Sequence, residues 1–317
     1  MKLALIGYGN VARALARLLN NKSRELPFTI TGIHTLRHGT AADPGGLPSE
    51  PAFGPRVPSV EAFLDMARAD VAVELTTLDP TAGEPAISHI RAAFARGMHV
   101  VTANKGPIAH AYADLRDHAA RAGVGFRFES AVMDGAPVFN LWRYSMPGVK
   151  VLGFAGALNS TSKVVVETME RGGTFEDGLA AARAMGITEA GGAFDVEGWD
   201  SAAKTAALAN VLLDARTTPQ QVSTRGIARL TPERVEEMNR QGKTVRLISR
   251  ARRTGSRVSL RVRAEVLDRS DILAMPRGTS NILLFQTDLM GTFGTVSIDP
   301  GVEQTAYGVF SDLVSLR

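Results

Sequence analysis

The chain has 317 residues and no cysteine, which excludes disulfides, thiolate metal sites and a cysteine nucleophile. Its hydrophobic content of 44% and charged content of 21% are typical of a globular protein, and its length predicts two domains. The formal charge of +4 suits anionic cofactors as well as nucleic acid, so charge alone decides nothing.

The N-terminal apolar run at 3–6 is too short for a signal peptide. No apolar stretch approaches the roughly 20 residues that a membrane crossing needs. We therefore expect a cytoplasmic protein with no membrane partner.

The first 130 residues alternate short apolar runs with helical patterns, which is typical of a parallel α/β sheet. The expected strands are 3–6, 28–33, 71–75, 100–102 and 125–128, and the expected helices are 11–19, 86–96 and 109–122. A Gly- and Pro-rich loop is expected over 39–58, and a loop of that length is usually functional.

After Glu129 the pattern changes. It predicts a strand over 149–158, helices over 163–171, 175–185 and 201–213, an antiparallel pair over 244–253 and 257–267, and a last helix over 303–316. The expected fold class is α/β, with a Rossmann-type dinucleotide-binding domain over 1–130 and an α+β substrate and dimerisation domain over 131–300. The tail, 301–317, is expected to be a helix that returns to the first domain.

A glycine turn, Gly-Tyr-Gly-Asn-Val-Ala at 7–12, joins the first strand to the first helix. The first glycine permits a tight turn, the second lets the backbone approach a pyrophosphate, and the helix N-terminus supplies an anion site. Glycines also end strands for structural reasons, but this position at the start of an α/β pattern favours dinucleotide binding. The expected contacts are Gly7, Gly9, Asn10 and Val11.

Cofactor choice is read at the end of the second strand, where an acid binds the ribose diol of NAD. Residues 32–38 contain no acid. Arg37 could pair with a 2′-phosphate there, although most loop arginines are simply solvated. The missing acid favours NADP, with NAD as the alternative.

Polar residues follow two further strands. Thr76 and Thr77 come directly after the strand at 71–75, where either cofactor contact or a simple turn is reasonable. Lys105 follows the strand at 100–102, just before a helix that Pro107 can start. Its ammonium could polarise a carbonyl oxygen at the crevice.

A glycine-rich acidic segment precedes the helix at 201–213. Asp200 and Lys204 lie four residues apart and share one helix face. As a surface pair they would contribute little, but Glu189 and Asp195 lie in the same approach. Several carboxylates around one lysine suit a small zwitterionic substrate.

Together these residues resemble the homoserine dehydrogenase family. The similarity takes in the glycine turn, Ala-Asn-Lys at 103–105, and the segments 129–137, 156–161, 189–204 and 301–306. It covers essentially the whole chain, and 189–204 is its most specific part. The chain ends at Arg317, so we expect the short form without a C-terminal regulatory domain.

The resemblance implies roles for these residues. Lys204 would exchange the proton of the homoserine hydroxyl, with Lys105 beside it, in the interconversion of homoserine and aspartate semialdehyde. Glu189 and Asp200 would bind substrate and Asp195 would support them. Thr76 and Gly301 would touch the cofactor, and the protein would form a homodimer or higher homo-oligomer.

The resemblance also implies a sodium ion. Glu129 and the carbonyls of Val132, Asp134 and Ala136 would hold it, and this donor set is reasonable for a hard cation. The alternative is that Glu129 is a hinge acid without an ion.

Several positions depart from the family pattern. Ala-Gly-Gly at 190–192 replaces the usual acid and proline after the glutamate, Asn-Ser-Thr-Ser at 159–162 replaces Asn-Gly-Thr-Thr/Ser, and Met-Asp at 133–134 replaces small residues. These changes bear on substrate affinity and leave the reaction class unchanged.

Two rival functions remain open at this point. A related oxidoreductase acting on another amino or hydroxy acid would keep the glycine turn and Lys105 without needing the acidic segment. A nucleotide-sensing or nucleic-acid-binding protein would use the arginine-rich hairpin over 246–263. That hairpin lacks interleaved aromatic residues for base stacking, so we expect no nucleic-acid partner.

Overall fold

The computed structural model describes residues 1–79, 81–188 and 192–317. The chain forms two compact units, one of Met1–Asn140 with Gly301–Arg317 and the other of Leu141–Pro300. The described residues include no helix that is long and apolar enough to span a membrane.

The first unit is built around short buried strands. Leu3, Leu5, Val71 and Val73 are fully buried, as expected for strands that are covered on both faces. Up to Asn140 its described elements are β1 (Lys2–Ile6), α1 (Asn10–Asn21), β2 (Thr29–Thr35), β3 (Gly39–Ala42), α2 (Val60–Ala67), β4 (Val71–Glu74), α3 (Ala86–Phe94), β5 (His99–Thr102), α4 (Lys105–Ala122), β6 (Phe126–Arg127) and α5 (Ser130–Met133).

The strand order in this sheet is β3-β2-β1-β4-β5-β6. The chain crosses over between β1 and β4, which is the switch point where open α/β sheets bind ligands at the carboxyl ends of their strands. Strands β1, β2, β4, β5 and β6 pair in parallel. The fold therefore presents the residues after β1 and β4 side by side.

The edge strand β3 differs from expectation. It lies inside the stretch expected to be a loop, and it pairs antiparallel with β2. The hydroxyl of Thr35 accepts a hydrogen bond from the His38 amide at 2.8 Å and donates to the Gly39 carbonyl at 3.2 Å. Gly39 has φ of 91°, a conformation that favours glycine. This tight turn closes a hairpin, so the sheet is not wholly parallel.

The described elements of the second unit are β7 (Val151–Ala157), α6 (Ser160–Glu170), α7 (Phe175–Ala184), α8 (Ala193–Glu197), α9 (Trp199–Leu213), β8 (Ser223–Arg225), α10 (Pro232–Arg240), β9 (Lys243–Thr254), β10 (Arg257–Asp268), β11 (Asn281–Thr287) and β12 (Thr292–Ser297). Its sheet has the order β12-β11-β7-β9-β10-β8. All pairs are antiparallel except β10 with β8.

Helix α9 packs against this sheet through small side chains. Ala202, Ala203, Ala206 and Ala207 are fully buried, and the helix contacts β7, β9 and β10. Alanine costs no side-chain entropy in a helix and permits close approach to the strands. The result is a fixed platform for the polar residues in the first turns of α9.

The last helix, α11 (Val302–Val314), belongs to the first unit. It packs against α1, and Val309 and Leu313 join the fully buried core of that unit. The buried carboxylate of Asp312 accepts hydrogen bonds from the Glu129 amide at 2.7 Å and the Asn140 side chain at 2.9 Å. These bonds hold the stretch up to Asn140 in the first unit, ten residues beyond the boundary expected at 130.

Candidate active site

The glycine turn lies at the carboxyl end of β1. Gly7 has φ of 98°, and a Cβ there would lie 2.6 Å from the Leu75 carbonyl oxygen, so only glycine fits. A Cβ on Gly9 would have no heavy atom of the described chain within 4 Å. Open space at Gly9 and the start of α1 at Asn10, with no acid in its first turn, fit an anionic pyrophosphate.

Residues next to the expected cofactor contacts pack in the core of the first unit. Tyr8, Leu75, Ala103 and Val302 all pack against the same buried core. The expected cofactor contacts Thr76, Lys105 and Gly301 each follow or precede one of these residues. Because β1, β4 and β5 are parallel neighbours, Gly9, Thr76 and Lys105 follow the carboxyl ends of adjacent strands, and Gly301 begins the helix that packs in the same unit.

A buried acid that the sequence analysis missed organises the ends of β4 and β5. Glu74 is 1% exposed. Its Oε1 accepts hydrogen bonds from the amide of Thr76 at 3.1 Å and from the Thr76 hydroxyl, and its Oε2 accepts one from the Thr102 hydroxyl at 3.0 Å. His89 Nδ1 lies 3.7 Å from Oε1. The Thr76 hydroxyl therefore faces Glu74.

Asn104 extends this network toward Lys105. The Asn104 amide donates to the Thr102 hydroxyl at 3.0 Å, and its side-chain nitrogen donates to the Thr76 carbonyl at 3.3 Å. Its side-chain oxygen accepts from the Gly106 amide at 2.9 Å and so caps α4. Because Lys105 is the first residue of α4, the network fixes where its half-buried side chain begins.

Arg37 lies at the tip of the β2–β3 turn. Its side chain is exposed. No carboxylate occurs between Thr29 and Ala42. The tip therefore offers a cation, and no acid, beyond the end of β2. Thr77 is likewise exposed.

In the second unit, α9 presents Lys204 toward the end of β7. Its Nζ donates to the Leu158 carbonyl at 2.8 Å and lies 3.2 Å from Asp200 Oδ2. The Asp200 side chain is 5% exposed and that of Lys204 is 16% exposed. The pair is thus largely removed from water, unlike a surface ion pair, and a small opening to solvent remains at the lysine.

Asn159 links the two aspartates, a role that the sequence analysis did not assign. Its side-chain nitrogen donates to Asp195 at 2.7 Å and to Asp200 at 2.9 Å. Its side-chain oxygen accepts from the Ser162 amide at 2.7 Å and caps α6. One amide therefore holds two buried carboxylates side by side, next to Lys204.

A second lysine lies beneath this cluster. Lys163 is 2% exposed, and its Nζ donates to the Asn159 carbonyl at 3.0 Å and to Asn281 Oδ1 at 3.1 Å. Burial, assisted by the positive charges of Lys204 and Arg246, lowers the pKa of Lys163 to about 7. In the sequence, this buried position of Lys163 is indicated only by a lysine at the start of an apolar helical run.

The carboxylate of Glu129 is occupied by backbone amides. It accepts hydrogen bonds from Val138, from Phe139 at 3.0 Å and from Asn140 at 2.5 Å. Burial raises the pKa of Glu129, although these hydrogen bonds oppose the shift. Among the described residues, no group of three or more His, Asp or Glu side chains could hold a metal. Because backbone amides donate hydrogen bonds to both oxygens of Glu129, a cation would have to compete with them for the carboxylate.

The remaining expected substrate ligand, Glu189, lies outside the described residues. Before it, the Thr161 hydroxyl donates to the Ile187 carbonyl at 3.1 Å. This bond ties the chain that leads to Glu189 to the first turn of α6, which Asn159 caps.

Comparison with known proteins identifies the family of the chain. The family model of homoserine dehydrogenase matches residues 137–314, and that of the homoserine dehydrogenase NAD-binding domain matches residues 7–129. An NAD(+)-dependent homoserine dehydrogenase from Pseudomonas canavaninivorans is 36% identical, covering 100% of this chain and 96% of the relative. The homoserine dehydrogenase of Methanocaldococcus jannaschii is 32% identical, covering 100% and 98%.

The same relationship holds in three dimensions. The crystal structure of homoserine dehydrogenase from Thermoplasma acidophilum superposes with a TM-score of 0.84 at 26% identity, covering 100% of this chain and 98% of that one. The matches confirm the expected fold class and the resemblance stated from the sequence. The chain belongs to the homoserine dehydrogenase family, whose NAD-binding domain it carries together with the catalytic domain.

Proposed function

We propose that this protein interconverts L-homoserine and L-aspartate 4-semialdehyde in threonine and methionine biosynthesis, with Lys204 exchanging the hydroxyl proton. The observation that carries the proposal is the cluster of Asp195, Asn159, Asp200 and Lys204. A spectrophotometric assay of the purified protein with homoserine tests it directly. Oxidation of another amino or hydroxy acid in preference to homoserine would favour the related-oxidoreductase alternative.

In this mechanism the carboxylates and the lysine have separate tasks. Asp200, with Asp195 and Glu189, binds the substrate's ammonium group, because buried carboxylates need a positive partner. As the neutral amine, Lys204 accepts the hydroxyl proton during oxidation, and as the ammonium it returns the proton during reduction, which is general acid–base catalysis. Lys105 polarises the reacting oxygen. The nicotinamide, when bound, accepts or supplies the hydride.

For the cofactor we propose NADP, held by Gly7, Gly9, Asn10 and Val11 with contributions from Thr76, Thr77, Lys105 and Gly301. Arg37 is exposed at the end of the second strand in a segment without acids, which favours a 2′-phosphate over a ribose diol. The Pseudomonas relative is named as NAD(+)-dependent. Initial rates with NAD and NADP, measured separately, test the choice.

For Glu129 we propose the role of a hinge acid without an ion. Its two oxygens accept hydrogen bonds from the backbone amides of residues 138–140. These bonds occupy most of the lone pairs with which the carboxylate would bind sodium. The ion-holding alternative with Val132, Asp134 and Ala136 predicts that activity rises with sodium over potassium at constant ionic strength. We expect equal rates in the two salts.

We also propose that the protein forms a homodimer or a higher homo-oligomer in the cytoplasm. The second unit exposes several large apolar side chains between residues 272 and 298, and association sites are typically built from contiguous apolar surface. They are Ile272, Met275, Leu289, Met290, Val296 and Ile298. Size-exclusion chromatography coupled to light scattering measures the oligomeric state. A monomer at micromolar protein concentration would contradict the proposed association.

A further inference from the structure

Lys163 is an ionisable group that the reaction described above does not use. It lies in the first turn of α6, beneath the carboxylate cluster, and it is fully enclosed. Two oxygens face its nitrogen, the Asn159 carbonyl at 3.0 Å and Asn281 Oδ1 at 3.1 Å. A neutral amine has two N–H donors and an ammonium has three. The described acceptors therefore match the neutral form.

The position also disfavours a positive charge. The side chain folds back toward the Asn159 carbonyl, at the end of α6 where the helix dipole is positive. Lys204 on α9 and Arg246 on β9 add positive charge, whereas Glu167 on α6 and Asp200 on α9 add negative charge. The acids are therefore what keep a proton on Lys163.

We propose that Lys163 is a positioning residue of the substrate site, and that binding of the substrate's ammonium group at Asp195 and Asp200 expels the Lys163 proton. This inference rests on the proposed role of the two aspartates. In the step, one N–H bond of the Lys163 ammonium breaks, the electron pair stays on Nζ, and the proton leaves to solvent.

The charges of the cluster explain the coupling. In the resting site, where Lys204 is the ammonium beside Asp200, the charges of Asp195, Asp200, Lys204 and a protonated Lys163 sum to zero. Loss of the Lys163 proton then leaves one negative charge. A substrate ammonium binds better to the negative cluster, and once bound it offsets the charge of Asp200, one of the acids that favour the Lys163 proton. The linkage is reciprocal, so substrate binding and proton release promote each other. The neutral amine keeps both hydrogen bonds and so keeps Asn159 in place.

Calorimetry on the unmodified protein tests the inference. Homoserine is titrated into enzyme saturated with reduced cofactor, a combination that cannot react, in two buffers of different ionisation enthalpy. We expect net proton release near neutral pH, and a homoserine Kd that falls by about threefold to tenfold between about pH 6 and about pH 8. Binding without proton release would overturn the inference.

Three variants assign the released proton. Lys163→Met should abolish the release, while Lys150→Met, an exposed lysine of the same unit, should leave it unchanged. Asn281→Asp, which places a carboxylate at the Lys163 nitrogen, should move the release to higher pH. Undiminished release in Lys163→Met would refute the assignment. If the enzyme turns over homoserine but binding of homoserine to the reduced-cofactor complex releases no proton, this inference alone fails. If there is no homoserine turnover, the proposed function fails.

Discussion

The side-chain nitrogen of Asn159 lies 2.9 Å from Oδ2 of Asp200, a residue 41 positions further along the chain. The same Asp200 oxygen lies 3.2 Å from the Lys204 nitrogen. The amide that caps α6 therefore fixes the acid that stands beside the proposed proton-transfer residue. This connects the start of one helix to the chemistry on another.

Asn159→Ala tests this connection. Loss of the shared donor leaves two buried carboxylates short of a hydrogen bond, which typically costs about 1–3 kcal/mol. We expect KM for homoserine to rise by about fivefold to a hundredfold, since about 1.4 kcal/mol corresponds to one power of ten in affinity. Steady-state kinetics and thermal unfolding measure the two effects. The control is Asn210→Ala, which removes a buried amide of α9 that binds Thr217; it should lower stability only. A similar KM in both variants would contradict the role of Asn159.

Glu74→Leu tests the buried network of the first unit. The Thr76 amide and the hydroxyls of Thr76 and Thr102 lose their acceptor, so we expect the free energy of unfolding to fall by about 1–3 kcal/mol. KM for the cofactor should also rise, because Asn104 and Lys105 lose their support. Urea unfolding and cofactor kinetics provide the measurements. Glu74→Gln keeps a hydrogen-bond acceptor and should restore most of the stability and most of the cofactor KM. An unchanged cofactor KM in Glu74→Leu would show that the network is only structural.

Lys163→Met tests the cost of burying a lysine. Burial lowers the pKa of Lys163 to about 7 in the folded protein, against about 10.4 for an exposed lysine. Between about pH 7 and about pH 10.4 the unfolded state binds more protons than the folded state, so wild-type stability rises with pH. Below about pH 7 the folded protein carries the full cost of burying a charged lysine. From about pH 7 to about pH 9 the wild type should gain up to about 2–3 kcal/mol relative to the variant. A difference in unfolding free energy that does not change with pH would contradict this.

Arg37→Asp tests cofactor choice. Replacing the exposed cation at the end of β2 with an acid should disfavour a 2′-phosphate and provide an acceptor for a ribose diol. We expect the ratio of kcat/KM for NADP to that for NAD to fall at least about tenfold, since removing and reversing one charge near a phosphate is worth more than about 1.4 kcal/mol. Arg17→Asp, on the exposed face of α1, is the control. An unchanged ratio in Arg37→Asp would remove Arg37 from cofactor recognition.

The elements that the sequence predicted best are those with a continuous local signal. Apolar runs predicted β1, β4 and β5 to within one residue at each end, and the glycine turn follows directly from the first of them. Several other elements were missed, and β11 was missed although residues 282–285 form an apolar run. They include the short strand β3, the polar helix α10 and the strands β11 and β12.

The supporting residues of the site could not be predicted from local patterns. Asn159 meets Asp195 from 36 positions away, and Lys163 meets Asn281 from 118 positions away. A buried Glu74 is visible in the sequence only as an acid at the end of an apolar run. Such roles depend on which strands and helices come together, and that is set by the whole fold.

The arginine-rich hairpin also has a structural explanation. Arg250 on β9 makes a two-pronged ion pair with Glu265 on β10, and Arg261 lies 3.6 Å from the same carboxylate. Pairing of this kind neutralises part of the positive charge that would otherwise attract nucleic acid. Membership of the homoserine dehydrogenase family accounts for the chain without that rival function.

The central claim is that Lys204 transfers the proton, and the kinetics of Lys204→Ala test it most directly. We expect kcat to fall by about 10²- to 10⁴-fold, the usual contribution of general acid–base catalysis, with cofactor Kd unchanged because the glycine turn belongs to the other unit. Lys150→Ala serves as the matched control and should keep the wild-type kcat. Near-normal turnover in Lys204→Ala, with the protein folded and the cofactor bound, would contradict the mechanism.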